Sequence, residues 1–233
     1  MFMSIPWKVF VPANALPDLR LARGGRAPRK RMRDIAVLFV DIEGCTRQCE
    51  DLPPRVMNEV IEIYFSRYLE AVRVFEGEVT EVLGDGLLAI FEGPDLRSSV
   101  EAAINASDRI RTVTALLNRR RSRRHDPIAL HIGLNAGQAL TGVIRLRSRR
   151  GERWFYAANG PVTNVAARLC ALANGGQALT TRAVAGLVPG RCDFRRLGPR
   201  HVARFVEVVE CNPKRSDSKP GFPDSRVPAR LSA

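Results

Sequence analysis

The feature that most constrains what this chain can fold into is the stretch IAVLFVDIEGCT at residues 35–46. A continuous apolar run of this length that ends in a glycine turn is typical of a strand buried on both faces. The run stops at Asp41, and Glu43 and Gly44 follow. An aspartate at the end of such a strand either caps the turn or binds a metal ion, and this stretch alone does not decide between the two.

A second stretch, EVTEVLGDGLLAIF at residues 78–91, also carries an acid between apolar segments. Its Gly84-Asp85-Gly86 sequence predicts a β-hairpin with Asp85 at the tip. Two strands that each end in a carboxylate can bring Asp41 and Asp85 close together, where their charges repel unless a cation lies between them. Oxygen ligands favour Mg²⁺ or Mn²⁺, and Mg²⁺ readily shares its shell with substrate phosphates. We therefore expect a two-metal site for phosphoryl chemistry.

The chain as a whole predicts one domain between two irregular ends. Residues 1–33 are rich in Pro, Gly and Arg without a sustained period, so a basic irregular arm is expected there. Residues 212–233 form a tail rich in Pro and Ser. A length of 233 residues, 45% of them hydrophobic, leaves room for one domain with a substantial core, at residues 34–211.

Within this domain, hydrophobic periodicity predicts helices at residues 54–75, 95–117 and 160–173, with Asp95 as a cap of the second. Strands are expected at 128–134, 177–180 and 205–209, with a small helix between the last two. Residues 135–156 predict a hairpin whose arms are joined by an arginine-rich loop. The order β-α-β-β-α-β predicts an α+β fold with a ferredoxin-like core, its helices on one face of an antiparallel sheet, and a C-terminal extension.

The net charge of +13 raises the question of an anionic partner. The excess lies mainly at residues 20–33, 119–124 and 145–153, which we interpret as a tail and two solvated loops rather than one basic helix face with interleaved aromatics. A nucleic-acid partner is therefore disfavoured. Peripheral contact of the basic arm with an anionic membrane stays an open alternative, and such contact would weaken as salt rises.

The five cysteines include no CxxC pair and are typical of free thiols in a reducing compartment. The three histidines are scattered, and His131, in an apolar strand, is interpreted as structural. No apolar run is long enough to cross a bilayer, and the first residues lack the pattern of a signal peptide. We therefore expect a cytoplasmic protein.

Asn164 and Arg168 form a further candidate pair on the third helix. Their i, i+4 spacing places both side chains on one face, where they can meet the same ligand. A planar guanidinium beside an amide suits the charge that develops on a phosphate during displacement. Alone, an Asn and an Arg at this spacing more often form an ordinary surface pair, and the two acids give this pair more weight.

Four segments, in this order and spacing, resemble the catalytic domain of class III adenylate and guanylate cyclases: LFVDIEGCT, EVLGDGLLAIF, HIGLNAGQALTGVI and NGPVTNVAARL. The resemblance covers residues 35–209. It implies a ferredoxin-like core and a homodimer with active sites shared between two catalytic domains. It also implies conversion of ATP or GTP to a 3′,5′-cyclic nucleotide and pyrophosphate, for cyclic nucleotide signalling.

The resemblance also implies roles for individual residues. Asp41 and Asp85 match the two metal-binding aspartates, which hold two ions of Mg²⁺ or Mn²⁺ with help from the Ile42 carbonyl. Asn164 is expected to orient the ribose and Arg168 to stabilise the reacting phosphate, both from the partner subunit. No dedicated side-chain base is required. The turn expected to approach the triphosphate, called the phosphate turn below, follows Ile42 and consists of Glu43, Gly44, Cys45 and Thr46.

Base recognition is where this chain departs from the commonest pattern. Glu81, four residues before Asp85, stands where adenylate cyclases usually have Lys, and a carboxylate suits the N1–H and 2-amino group of guanine. The companion position, Ala157, makes no polar contact. The family's base rate favours ATP and Glu81 favours GTP, so both substrates stay open.

Cys45 stands where the family usually has Phe. The late phosphate-contacting Lys has no clear match, and Arg204 or Arg200 is the candidate substitute.

Two readings compete with an active cyclase. A catalytically silent cyclase-like domain could serve as a regulatory or dimerisation module, but folding alone does not require both aspartates together with Asn164 and Arg168. A basic RNA-binding module would want exposed aromatics on its central strands, and these carry Val, Leu and Ile. A diguanylate cyclase is excluded by the lack of its GG[DE]EF turn.

Overall fold

The computed structural model of the protein describes residues 30–43, 53–120, 127–149, 151–197 and 207–213. This part of the chain forms eight strands and four helices. The strands are β1 (Arg31–Ile42), β2 (Glu78–Leu83), β3 (Gly86–Phe91), β4 (Leu130–Ser148), β5 (Gly151–Asn159), β6 (Ala178–Thr181), β7 (Cys192–Arg196) and β8 (Val208–Pro213). The helices are α1 (Pro54–Val74), α2 (Leu96–Arg120), α3 (Pro161–Leu172) and α4 (Arg182–Leu187).

The strands form one sheet in the order β2-β3-β1-β4-β6-β8-β7, with β5 paired to the second half of β4. Strand β1 lies between β3 and β4 and is antiparallel to both, whereas β4 and β6 are parallel. The sheet order β2-β3-β1-β4, with α1 after β1 and α2 after β3, is the ferredoxin-like arrangement. The predicted fold class is therefore confirmed.

Both faces of β1 are covered, as its apolar run predicts. Leu38 and Val40 pack with α1 and α2 on one face, which we call the helix face. Ile35 and Val37 pack with residues of α3 and β5 on the opposite face, which we call the α3 face. Successive side chains of a strand point to opposite faces, and both faces of β1 are packed. The four residues 35–38 are therefore all fully buried.

Side-chain hydrogen bonds fix α2 against α1, against the segment before β4, and at its own N-terminus. The hydroxyls of Tyr68 and Thr114 are hydrogen-bonded at 2.8 Å in a buried position. The amide of Asn118 bonds both backbone groups of Ile128, donating to its carbonyl at 2.8 Å and accepting from its N–H at 2.9 Å. Asp95 accepts from the Ser98 N–H at 2.7 Å, so the predicted cap of α2 is present.

Strands extend a few residues beyond both ends of the predicted domain. Strand β1 begins at Arg31, inside the arm expected at residues 1–33, because β4 continues far enough to pair Arg31 with Thr141. Arg33 also forms an ion pair of 3.1 Å with Glu92. Strand β8 runs to Pro213, two residues into the expected tail. Residues 1–29 and 214–233, the rest of the arm and tail, lie outside the described residues.

The prediction of an arginine-rich loop at residues 145–153 is wrong, because most of these residues lie in β4 and β5. Strand β4 continues from Leu130 to Ser148 as one element, and Ser148 pairs with Gly151 across a two-residue turn. At Gly137 and Gly142 the φ values are +154° and +149°, a region that favours glycine, and β4 continues through both positions.

The C-terminal extension contains one more strand than the sequence predicted. Strand β7 was not predicted, and it pairs with β8. The strand expected at 205–209 is β8, which begins at Val208, and residues 205 and 206 lie outside the described part. The small helix expected before it is α4. None of the described helices is both long and apolar enough to cross a membrane.

Candidate active site

The two aspartates singled out in the sequence lie side by side at one end of the sheet. Asp41 pairs with Gly86 in the β1–β3 register, and Asp85 occupies the turn immediately before Gly86. The backbone N–H of Ile42 donates to the carbonyl of Asp85 at 3.2 Å. Asp41 Oδ1 lies 3.3 Å from the position that a Cβ of Gly86 would occupy, so its carboxylate points towards the hairpin tip.

The electrostatics of this end of the sheet favour a bound cation. Partial burial raises the pKa of the Asp41 carboxyl above its ordinary value, the charge of Asp85 raises it further, and His131 acts in the opposite direction. A cation bound between the two carboxylates offsets their mutual repulsion. The pair therefore has the donor chemistry that suits a hard divalent ion.

The described residues contain no group of three or more His, Cys, Asp and Glu side chains placed to hold a metal ion. Two carboxylates and the Ile42 carbonyl leave several positions of an octahedral ion open. This donor set fits Mg²⁺ or Mn²⁺ shared with substrate phosphates and water, and it does not fit a closed structural site.

Glu43 begins the phosphate turn and is held on three sides. Its N–H donates to the carbonyl of Ala129 at 2.9 Å, and its Oε1 accepts from the N–H of Gly175 at 3.2 Å. Its Oε2 lies 3.5 Å from Nε2 of His131, which pairs with Asp41 in the β1–β4 register. The other residues of the turn, Gly44, Cys45 and Thr46, lie outside the described residues, as do Arg200 and Arg204.

Asn164 and Arg168 are exposed on the outer side of α3. The inner side of this helix touches β4, since a Cβ at Gly133 would lie 2.2 Å from the carbonyl oxygen of Ala166 and 2.3 Å from the backbone N of Cys170. Asn164 precedes Ala166 by two residues, and Arg168 precedes Cys170 by two. At about 100° per residue, both side chains are rotated by about 200° from the β4 contact. They therefore face away from the strands that carry the acids.

Glu81 is placed by a β-bulge in strand β2. Val79 pairs with Ala89 and Glu81 with Leu88, so Thr80 is the extra residue. Without the bulge, Glu81 would share the helix face with Val79. With it, Glu81 shares the α3 face with Leu88, and it is half-buried there. Ala157 is buried in β5 opposite Gly142.

Sequence reasoning missed the side chains around Glu43. His131 was interpreted as structural only, Glu43 was expected to contribute its backbone, and Gly175 was not singled out. The contact between Glu43 and His131 depends on the β1–β4 register, and the contact with Gly175 spans 132 positions in sequence. The sequence alone carries no signal for either contact.

Known structures share this fold. The chain superimposes on the adenylyl cyclase CyaB from P. aeruginosa with a TM-score of 0.73 at 20% identity, covering 82% of this chain and 100% of that one. It superimposes on the guanylate cyclase domain of RhGC from Catenaria anguillulae, solved in complex with GTP, with a TM-score of 0.68 at 16% identity, covering 79% and 100%. At these identities the likeness shows the fold, which is that of nucleotide cyclase catalytic domains.

The family follows from the sequence comparison. The family described as "Adenylate and Guanylate cyclase catalytic domain" matches residues 27–203, and this chain belongs to it. Cyclase domains of this family bind nucleotides, dimerise and typically use two metal ions.

A relative in Mycobacterium tuberculosis, an uncharacterized protein, is 33% identical over 141 residues. The match covers 60% of this chain and 23% of the relative, so this chain spans less than a quarter of that protein's length.

Proposed function

We propose that this chain is an active nucleotide cyclase, which converts ATP or GTP to the 3′,5′-cyclic nucleotide and pyrophosphate in a homodimer. The observation that carries the proposal is the convergence of Asp41 and Asp85 at one end of the sheet, in a chain that belongs to the cyclase family. Folding gains nothing from two adjacent carboxylates, because each destabilises the charged form of the other.

In this proposal, Asp41, Asp85 and the Ile42 carbonyl would hold the metal ions. When bound, the ions would neutralise charge on the triphosphate and lower the pKa of the ribose 3′-hydroxyl. The ribose 3′-oxygen forms a bond to the α-phosphorus, the bond from that phosphorus to the bridging oxygen of pyrophosphate breaks, and the hydroxyl proton passes to water. Glu43 and the rest of the phosphate turn line the path of the triphosphate.

Asn164 and Arg168 act on the substrate held by the other subunit. Their side chains leave α3 on the side away from β4, so they do not converge with the acids of their own chain. In a symmetric dimer each site then combines Asp41 and Asp85 of one chain with Asn164 and Arg168 of the other. There Asn164 orients the ribose, and the guanidinium of Arg168 stabilises charge on the reacting phosphate.

The base is read by Glu81 in this proposal. The bulge at Thr80 supports this role, because it turns Glu81 out of the helix face, which is filled by α1 and α2. A carboxylate accepts two hydrogen bonds from guanine, whereas adenine offers it only the 6-amino group. The solved structures that share this fold include both adenylyl and guanylyl cyclases, so the fold does not decide between ATP and GTP. In this proposal the choice of nucleotide rests on Glu81 alone.

The test is formation of cyclic AMP and cyclic GMP from the respective triphosphates with Mn²⁺, by the wild type, Asp41→Asn and Asp85→Asn. These variants keep the size of each side chain and remove one ligand charge, so we expect a loss of at least about 100-fold in each. Glu101→Gln is the matched control, since Glu101 forms an i,i+4 ion pair with Arg97 on the surface of α2. A wild type without activity on either nucleotide favours the silent regulatory module instead.

A further inference from the structure

The geometry points to a positioning role for two side chains outside the predicted ligand set. We propose that Glu43 and His131 form a latch that fixes the start of the phosphate turn, and with it the metal-binding end of β1. This inference rests on the proposed function, because it concerns how the same site is held. Neither side chain is assigned contact with substrate or metal.

The carboxylate of Glu43 is directed at Gly175 and His131. Its Oε1 accepts from the N–H of Gly175 in the loop between α3 and β6, and its Oε2 lies 3.5 Å from His131 Nε2 on β4. Glu43 Oε2 and His131 Nε2 are both buried, and neither has a hydrogen-bond partner among the described residues, so each is the natural partner of the other.

The latch lies beside the proposed metal ligand that it would position. His131 is the direct cross-strand neighbour of Asp41, and such neighbours have Cβ atoms about 5 Å apart on the same face of a sheet. Glu43 follows Asp41 by two residues, with the Ile42 carbonyl between them. A shift of Glu43 therefore moves both proposed ligands of β1.

The partners of the latch are themselves held by further hydrogen bonds. The carbonyl of His131 accepts from the thiol of Cys170 on α3 at 3.3 Å. Gly175 has a φ of +56°, a conformation that glycine adopts without strain, and this turn presents its N–H to Glu43. The N–H of Ile132 donates to the Gln177 carbonyl at 3.1 Å, which ties the same loop to β4. Glu43 thus joins the phosphate turn to the base of the helix that carries Asn164 and Arg168.

The experiment compares Glu43→Ala with Glu43→Gln. The readout is the affinity for Mn²⁺, measured from the free-ion electron paramagnetic resonance signal, with 3′-deoxy-ATP and separately 3′-deoxy-GTP present so that no turnover occurs. Loss of an outer partner of a metal site typically costs 10–100-fold in metal affinity. Because the latch acts through the backbone, we expect about tenfold weaker Mn²⁺ binding in Glu43→Ala. Glu43→Gln should return to within about threefold of wild type, since its oxygen still accepts from Gly175.

The controls separate positioning from a general loss of structure. Glu101→Ala removes an exposed acid distant from the site and should leave Mn²⁺ binding unchanged. The unfolding midpoints of the Glu43 variants should lie within a few degrees of wild type. His131→Ala removes the other half of the latch and serves if Glu43→Ala does not fold. In the double variant the two losses should not multiply, because the residues share one interaction.

Each alternative result overturns the inference. Unchanged Mn²⁺ affinity in Glu43→Ala, with or without lower stability, shows that the latch does not position the ligands. A Glu43→Gln variant as weak as Glu43→Ala shows that the negative charge acts on the metal directly. Failure of the proposed function looks different: the wild type binds Mn²⁺ with the deoxynucleotides yet forms no cyclic nucleotide, and the comparison of variants still decides the role of Glu43.

Discussion

Gly133→Ala tests how the helix that carries Asn164 and Arg168 is seated on the sheet. A methyl group at this position would lie 2.2 Å from the Ala166 carbonyl oxygen, 2.3 Å from the Cys170 backbone N and 2.9 Å from its Cα. All three are backbone atoms, so no rotamer change relieves the contact. An ordinary non-bonded separation requires α3 to move outward by about 1 Å.

Two magnitudes follow from this displacement. Overpacking of a close-packed interior typically costs about 1–3 kcal/mol, and for a chain of this size each kcal/mol lowers the unfolding midpoint by about 2–4 °C. We therefore expect Gly133→Ala to unfold about 2–12 °C below wild type. A misplacement of about 1 Å can cost on the order of 100-fold in rate, so kcat should fall far more than stability explains.

Gly186→Ala is the matched control for this prediction. Gly186 lies in α4, and among the described residues no heavy atom outside its chain neighbours and its own helix backbone lies within 4 Å of its added Cβ. A helical glycine replaced without a clash stabilises a protein by about 0.4–1 kcal/mol. The assays are thermal unfolding by circular dichroism and initial rates with Mn²⁺ and each nucleotide. A Gly133→Ala protein with the midpoint and kcat of wild type would refute the close contact between α3 and β4.

Three further predictions address base choice, helix capping and thiol reactivity. Glu81→Lys should shift the ratio of kcat/KM from GTP towards ATP by about tenfold or more, and an unchanged ratio in paired rate measurements removes Glu81 from base recognition. Hydrogen bonds from Ser98 hold the pKa of Asp95 below its ordinary value of 3.8, so its stabilisation is present above that pH and is lost as the pH falls through the lowered pKa. Asp95→Ala should accordingly lower the unfolding midpoint clearly at pH 7 and by progressively less as the pH falls below 3.8. Burial raises the pKa of the Cys170 thiol to about 12, so mass spectrometry after iodoacetamide treatment at pH 8 should find Cys170 modified in urea and protected in the folded protein.

The parts of the fold that the sequence predicts are those with a local signal. The double-sided burial of β1 follows from an apolar run without alternation, and the hairpin tip at Asp85 follows from its flanking glycines. The placement of Asp41 beside that tip then needs only β1 and β3 to be neighbours. The cap of α2 by Asp95 is equally local.

The features that escaped prediction depend on pairing between distant segments. Strand β1 begins at Arg31 because β4 continues past Gly137 to Thr141, where it pairs with Arg31. The face on which Glu81 lies is set by one extra residue, Thr80, whose bulge is visible only in the register. The roles proposed for Asn164 and Arg168 concern a second chain, and they remain predictions.

The central claim is that a complete cyclase site combines the acids of one chain with the Asn164 and Arg168 pair of another. Its most direct measurement is the rate of cyclic nucleotide formation when inactive Asp85→Ala and inactive Asn164→Ala proteins are mixed in equal amounts. Random pairing makes half of the dimers mixed, each with one intact site of two, so activity should recover to about one quarter of wild type. Activity in the mixture no higher than that of the separate variants, under conditions in which the subunits exchange, would contradict shared sites.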